Sequence, residues 1–438
     1  MGDKSPFAIF HQDVDAVHAD LYDGLLIQSL LQHDPTRLPS SVRRNSPNAS
    51  QDIQSEWHRF LDDLCFLCDS QSGGKSVVAL IAEEVRGESV FWVTTEPVHQ
   101  DVAVDHLNVI LHLLQKCIRA DEGRMQALIE QIAQISIRRS PQRVHHYGSR
   151  LKKVTAERPT EACAEGQPIG TCTDTAPYEA LDQIIAVRHL HQHLCESSYL
   201  FRYKDDYGLL KQHIKPTSKE TWNRVRHFVG RLGHWHKTAI SLARAAASFA
   251  SVLQKFRVAA IPCPDLGIQA HFTLDEDLEA LVLRVFPNYR GTPLCDRLVD
   301  RISRAKALID WYRTNELVPR PHAEVVALEY CHSRSMHLVN DDRYVGCSKP
   351  SCYCCSLYIG YHPGAFRPRP SHNNVWVQWC LPQAFHLELS GTANLGILRR
   401  MANDTRDLLK ATLTNGTTAS RRRFDSTTGI STTVIGPD

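Results

Sequence analysis

The stretch GCSKPSCYCC, residues 346–355, places four cysteines within ten positions. The whole chain has 438 residues and 14 cysteines, so the other ten cysteines are spread over all remaining positions. Pro350 precedes the last three cysteines, and proline is a common first residue of a helix. We therefore expect a helix that carries Cys352 and Cys355 at positions i and i+3 of its first turns, on one face. Cys354 would point away from that face.

A second helix is predicted upstream, in VPRPHAEVVALEYCHS, residues 318–333, because two prolines precede it. His322 and Glu324 fall in its first turn, where both side chains can reach one cavity. Between the two helices, DDRYVGCS at residues 341–348 predicts a short strand. The order is thus a helix with H-x-E, a strand, and a helix with C-x-x-C.

These residue types match the needs of a catalytic zinc ion. One imidazole and two thiolates fill three of the four positions of a tetrahedral zinc site and leave one position open for water. Zinc lowers the pKa of such a water toward ~7. A carboxylate beside the metal, here Glu324, can then move protons to a ring nitrogen and to a departing amine.

At these residues the chain resembles the cytidine deaminase-like superfamily, whose signature is H-x-E followed by P-C-x-x-C. HAE with GCSKPSCYCC looks most like the fungal branch of toxin-related nucleic-acid or nucleotide deaminases. The resemblance implies His322, Cys352 and Cys355 as ligands of Zn²⁺. It also implies Glu324 as the proton shuttle and a three-layer α/β/α domain in the C-terminal part. One departure is Ser351, which separates the proline from the first cysteine of the pair.

The loop HPGAFRPRPSHNN, residues 362–374, follows the cysteine helix. It offers Phe366 for stacking on a base, and Arg367 and Arg369 for holding phosphate. The alternative is an ordinary extended surface loop. Together with basic runs at 138–153 and 420–424, the loop favours a nucleotide or a single-stranded nucleic acid as the substrate.

The sequence therefore predicts a zinc-dependent hydrolytic deaminase of an amino-bearing base, with cytosine favoured over adenine. An alternative stays open, in which a fourth protein ligand closes the zinc site. The chain would then be a catalytically inactive module that binds a partner. Four residues near the site in sequence are candidates for that fourth ligand: Cys331, His332, Cys347 and Cys354.

The expected fold class is α/β, with a mixed N-terminal region and a largely helical middle region. The predicted divisions are 1–135 mixed α/β, 136–178 a basic and Pro/Gly/Thr-rich linker, 179–256 helical, 257–390 deaminase-like, and 391–438 a helix with a loose tail. In the helical region, apolar residues recur at alternating steps of three and four from Val225 to Phe256. This pattern predicts a seam that packs against another helix, either of this chain or of a second copy, and we favour packing within the chain.

Charge and the distribution of apolar residues exclude some classes of function and location. Lys and Arg number 50 and Asp and Glu 48, a net charge of +2, which argues against coating nucleic acid or a membrane through bulk charge. The N-terminal sequence has no signal-peptide pattern, and no apolar run is long enough to span a bilayer. Cysteines without such a signal predict a reducing compartment, cytoplasm or nucleus. The oligomeric state is left open.

Overall fold

The computed structural model describes residues 6–33, 56–74, 76–157, 176–203, 219–262, 274, 277–315, 318–382 and 391–414. These residues form a mixed α/β structure that is mostly helical and has a small sheet. The helices are α1 (Pro6–Gln32), α2 (Glu56–Cys68), α3 (Pro97–Cys117), α4 (Glu122–Arg139), α5 (Pro141–Ala156), α6 (Ala176–Ala186), α7 (His191–Tyr203), α8 (Lys219–Leu232), α9 (His234–Ala245), α10 (Ala250–Gln254), α11 (Leu278–Val285), α12 (Pro293–Ser303), α13 (Lys306–Thr314), α14 (Ala323–Ser333), α15 (Tyr353–Tyr361) and α16 (Gly391–Thr414). The strands are β1 (Ala79–Val85), β2 (Glu88–Thr94), β3 (Phe256–Ala260), β4 (Arg320–Pro321), β5 (Gly346–Cys347) and β6 (Trp379–Cys380).

The main sheet joins distant parts of the chain in the order β3-β2-β1-β5. β1 and β2 form an antiparallel hairpin whose turn residues, Arg86 and Gly87, both have positive φ, the geometry that matches strand twist. β3 runs parallel to β2, and β5 pairs antiparallel with β1. β5, which opens the cysteine-rich stretch, is therefore held by the N-terminal hairpin. The sheet thus joins segments that the sequence assigns to different divisions of the chain.

Alternate residues of β1 pack into two different hydrophobic cores. Leu80 and Ala82 belong to a core built with α2, α3 and the middle helices. Ala79 and Ile81 belong to a second core, which contains apolar residues of α14, α15 and α16. The period-2 alternation of a strand places successive side chains on opposite faces, so the sheet separates the two cores.

The expected linker begins with helix instead. The basic run at 138–153 spans the end of α4 and most of α5, and the structure describes the chain as helical to Ala156. Val144, Leu151 and Val154 of α5 are buried on one face. The many basic residues predict a linker when only composition is considered, whereas the spacing of these apolar residues is that of an amphipathic helix. The rest of the expected linker, from 158 to 175, lies outside the described residues.

The apolar seam in the middle region packs within the chain, but it is not one helix. α8 ends at Leu232 and α9 begins at His234, and Phe256 opens β3. A Cβ at Gly233 would lie 2.9 Å from the backbone of Tyr199, so the glycine lets α7 approach the junction closely. None of the helices in the described ranges is long and apolar enough to cross a lipid bilayer.

Candidate metal centre

The predicted donors lie at the starts of two helices, α14 and α15. His322 is the N-cap residue of α14, and its carbonyl accepts from the N–H of Val325 and Val326 at 2.9 and 3.1 Å. Cys352 is the N-cap residue of α15, and its sulfur accepts from the N–H of Cys355 at 3.4 Å. Both helix N-termini thus bring their partial positive charge to the donors, which favours ionised sulfur.

The structure brings the three donors together. The Nδ1 atom of His322 lies 3.5 Å from the sulfur of Cys352 and 3.3 Å from that of Cys355. All three donor atoms lie within 4.8 Å of one another. Zinc–nitrogen and zinc–sulfur bonds of ordinary length in a tetrahedron imply nitrogen–sulfur separations of ~3.6 Å. The donor set and its spacing therefore fit a zinc ion.

Burial and the charges of neighbouring groups shift the pKa values of the three donors. Burial lowers the pKa of His322, but the neighbouring Cys352 sulfur more than offsets this and raises the pKa to about 9. Burial raises the pKa of Cys352, whereas hydrogen bonds from Cys354 and Cys355 and the His322 ring bring it well below its ordinary value. For Cys355, burial and the charge on Cys352 raise the pKa. Metal binding to this set releases protons.

Glu324 lies beside these donors but is not one of them. The residue is 4 % exposed, and its charge acts on both His322 and Cys355. The Cys347 thiol lies 3.9 Å from its Oε2 atom and can donate to it. Within the described ranges, no fourth His, Cys, Asp or Glu joins the three donors at that spacing. The arrangement thus has three protein donors and a neighbouring carboxylate, as in an open site.

The three loop residues predicted for substrate binding lie in different surroundings. Phe366 is buried, with its ring 5.5 Å from that of His362. Arg367 is exposed, and its Nε lies 3.6 Å from a carboxylate oxygen of Asp342. Arg369 is buried and contacts protein groups. For substrate binding, all three stay predictions.

Arg369 holds the segment between β5 and α15. Its guanidinium donates to Asp62 at 2.8 Å and to the Tyr344 hydroxyl at 3.1 Å. It also donates to the backbone carbonyls of Val345, Cys347 and Lys349, the last two at 3.3 and 3.1 Å. These bonds tie the loop before the cysteine pair to α2, which sequence reasoning did not detect.

A second buried network joins the two ligand-bearing helices. The hydroxyl of Tyr358 in α15 donates to Glu329 of α14 at 2.5 Å. The Nε2 atom of His362 lies 3.1 Å from the same carboxylate, and its Nδ1 accepts from the N–H of Gly364 at 3.0 Å. These contacts fix α14 and α15, the two helices that carry the donors, relative to each other. The sequence around Glu329 does not predict this network, because its partners, Tyr358 and His362, lie in or directly after another helix.

Comparison with known families gives a match to the family described as OTT_1508_deam:-like deaminase, over residues 321–383. Residues 321–383 are similar to a deaminase. The match contains the H-x-E residues, both cysteines of the C-x-x-C pair and the loop that follows, and it covers well under half of the chain. It supports a deaminase superfamily for this segment and, in general terms, a hydrolase-type enzyme. Neither the curated proteins nor the solved structures contain a match to this chain.

Proposed function

We propose that the chain is a zinc-dependent hydrolytic deaminase that acts on an amino-bearing base, cytosine rather than adenine, in a nucleotide or a single-stranded nucleic acid. The observation that carries this proposal is the open set of three donors, His322, Cys352 and Cys355, beside the buried carboxylate of Glu324. We further propose the three-layer arrangement of the superfamily and the kinship with its fungal branch.

In the proposed reaction, water adds at the ring carbon that carries the exocyclic amine. A carbon–oxygen bond forms, the carbon–nitrogen bond breaks, and ammonia leaves. When bound, zinc supplies a nucleophile at neutral pH by acidifying water. Glu324 carries both protons of the attacking water in turn: it passes the first to the ring nitrogen as the carbon–oxygen bond forms, and the second, taken from the new hydroxyl, to the departing amine. Its burial removes competing solvent from this transfer.

His322, Cys352 and Cys355 would hold the zinc. Their neighbours orient them: the N–H of Cys355 donates to the Cys352 sulfur, and Tyr358 and His362 fix the two helices through Glu329. Such surrounding hydrogen bonds set ligand direction in metal sites. The chain thus provides donors, a proton carrier and a rigid frame on two helices.

The test combines metal analysis with ammonia release from a panel of nucleosides, nucleotides and short single strands. In Glu324→Gln we expect zinc to be retained and turnover to fall by about 10²–10⁴-fold, the usual loss for a general acid/base. Glu279→Gln, an exposed glutamate of α11, is the matched control and should behave as the unmodified chain. Cys352→Ser should lose the metal.

Two outcomes contradict the proposal. Equal turnover in Glu324→Gln removes this residue from the mechanism. A zinc-loaded protein that releases no ammonia from any substrate of the panel favours the other reading, a deaminase-like module that binds a partner.

A further inference from the structure

A cavity of about 600 Å³ lies along the first turns of α5, outside the segment that matches the deaminase family. This volume is within the ~300–1,000 Å³ of ordinary ligand sites, so a group of the size of a nucleobase fits. The polar residues that line the cavity come from α5, from the turn after α2 and from the start of α7, and they include His145, His146, Ser149, Ser72 and His191.

The three imidazole rings of this cavity are suited to stacking on a base. The Ser149 hydroxyl lies 3.4 Å from the Nε2 atom of His145. Burial, and next the charge of Arg150, lowers the pKa of His146, and burial, and next the neighbouring His145, lowers that of His191. At neutral pH the rings of His146 and His191 are thus uncharged. An imidazole can stack on an unpaired base and hydrogen-bond to its edge.

Three cations of α5 lie beside the cavity. Arg150 directly follows the cavity residue Ser149, and its charge acts on the ring of His146. Lys152 and Lys153 lie about one turn further along the same helix and are exposed. None of these three side chains forms an ion pair or a hydrogen bond with another described residue. We call these cations, together with the cavity, the α5 site.

The sequence around the α5 site has no compensating negative charge. No Asp or Glu occurs from Arg138 to Ala156. The next residue, Glu157, is already paired with Arg224, at a distance of 2.6 Å. At the other end, the exposed Arg138 and Arg139 end α4 just before α5 begins. A negatively charged polymer can therefore follow this stretch and meet cations on both sides of the cavity.

Single-stranded nucleic acid is bound by cations that follow its backbone and by aromatic rings on which its unpaired bases stack. The α5 site has both elements, with room for a base between them. We propose that it binds a single-stranded nucleic acid, with a base in the cavity and phosphates on Arg150, Lys152 and Lys153. This inference rests on the proposed function for the chemistry done on the strand, and it assigns the substrate to the polymer class.

One contact connects the α5 site with the cysteine-bearing segment. Ser72 lines the cavity, and the carbonyl of the next residue, Gly73, accepts from the ammonium of Lys349. Lys349 lies three residues before the metal donor Cys352. A base in the cavity thus lies against the turn that holds the segment leading to the donors.

Fluorescence anisotropy with a labelled oligodeoxycytidine of about 15 nucleotides measures binding to the full chain without turnover. Combining Arg150→Gln, Lys152→Gln and Lys153→Gln should weaken binding by about tenfold or more at low salt, because three phosphate contacts are lost. Each lost contact also reduces the slope of log K against log salt by about 0.7 for a single strand, so the slope should fall by about 2.

The matched control removes the same charge from exposed positions elsewhere. It combines Arg297→Gln, Lys306→Gln and Lys410→Gln, in α12, α13 and α16. Both the affinity and the salt slope should stay as in the unmodified chain.

A second pair of substitutions tests the cavity apart from the charges. His145→Ala with His191→Ala should weaken binding of oligodeoxycytidine by about fivefold or more, the loss expected when a stacked base loses its ring. An abasic oligonucleotide of the same length keeps the phosphates and should bind equally to both proteins. Equal weakening for the two strands would contradict a base in the cavity.

The inference is overturned if the oligonucleotide does not bind, or if the two triple variants weaken its binding equally. It is also overturned if a duplex, polyglutamate or phosphatidylserine vesicles bind as tightly and respond to the α5 substitutions in the same way. Binding needs no metal and should persist in Cys352→Ser. Strand binding at α5 without ammonia release from any substrate would leave the site standing and refute the proposed deaminase. Ammonia release from nucleotides without oligonucleotide binding would do the reverse.

Discussion

Replacing Arg369 by lysine tests whether this arginine holds the fold or meets the substrate. The change keeps the positive charge but removes the planar fork that donates to Asp62, Tyr344 and three backbone carbonyls. A lysine ammonium has three donors at one point and cannot span this set. At least two buried acceptors are then left without a partner.

A buried acceptor without a partner costs about 1–3 kcal/mol. Asp62 keeps its charged partner in the lysine variant, and its side chain is 21 % exposed, so we take the lower part of the range for each lost bond. The expected loss for Arg369→Lys is about 3 kcal/mol, a large share of the ~5–15 kcal/mol that stabilises ordinary domains. Arg369→Met, which also removes the positive charge beside Asp62, should cost more, about 3–5 kcal/mol.

Urea denaturation followed by fluorescence measures this loss. Arg367→Lys is the control, because Arg367 is 65 % exposed and pairs with Asp342 at 3.6 Å. Such exposed pairs contribute ~0–1 kcal/mol, so its midpoint should barely move. An unchanged midpoint in Arg369→Lys would refute the reasoning. Unchanged stability together with lost nucleotide binding would favour the substrate contact that the sequence predicts.

Two further perturbations test packing and burial. Gly346→Ala would place a Cβ 2.7 Å from the Cβ of Leu61 and 3.0 Å from its backbone, so we expect the free energy of unfolding to fall by about 1–3 kcal/mol in thermal or urea unfolding. The control is Gly360→Ala, which has open space around it and should be neutral or stabilising. Equal effects of the two substitutions would contradict the close approach of β5 to α2. Burial, and secondarily the charge of Arg139, lowers the pKa of His106 to about 4 from 6.5. As the pH falls below 6.5, the unfolded chain binds a proton at His106 that the folded chain does not bind. Near pH 5.5 this difference should lower the free energy of unfolding by about 1.4 kcal/mol. In urea titrations, His106→Gln should lose this part of the pH dependence.

The donors of the candidate site were predictable because their signals are local. The prolines locate the helix starts only to within a few residues, because α14 begins at Ala323, after Pro321, and α15 begins at Tyr353, after Pro350. The i, i+3 spacing then sets which cysteines share a face. The structure brings His322, Cys352 and Cys355 together as these rules predict.

The surroundings of the site depend on contacts that no local pattern encodes. An arginine in a polar loop reads as exposed, yet Arg369 is buried because Asp62, from α2, supplies a partner charge. The same holds for the basic run at 138–153, where Arg143 is buried against Asp69 and the Phe66 ring. Whether a charge faces solvent depends on what lies opposite it in space, and these partners are hundreds or tens of positions away.

By itself the sequence determined the donor set, the neighbouring carboxylate and the helices that carry them, since helix starts and side-chain spacing act within a few residues. Only the tertiary structure decided that the N-terminal hairpin pairs with β5 and that Lys349 lies among Arg143, Arg231 and Asp69. Strand pairing and charge burial are set by free energies between distant segments, which become defined only when the chain has packed.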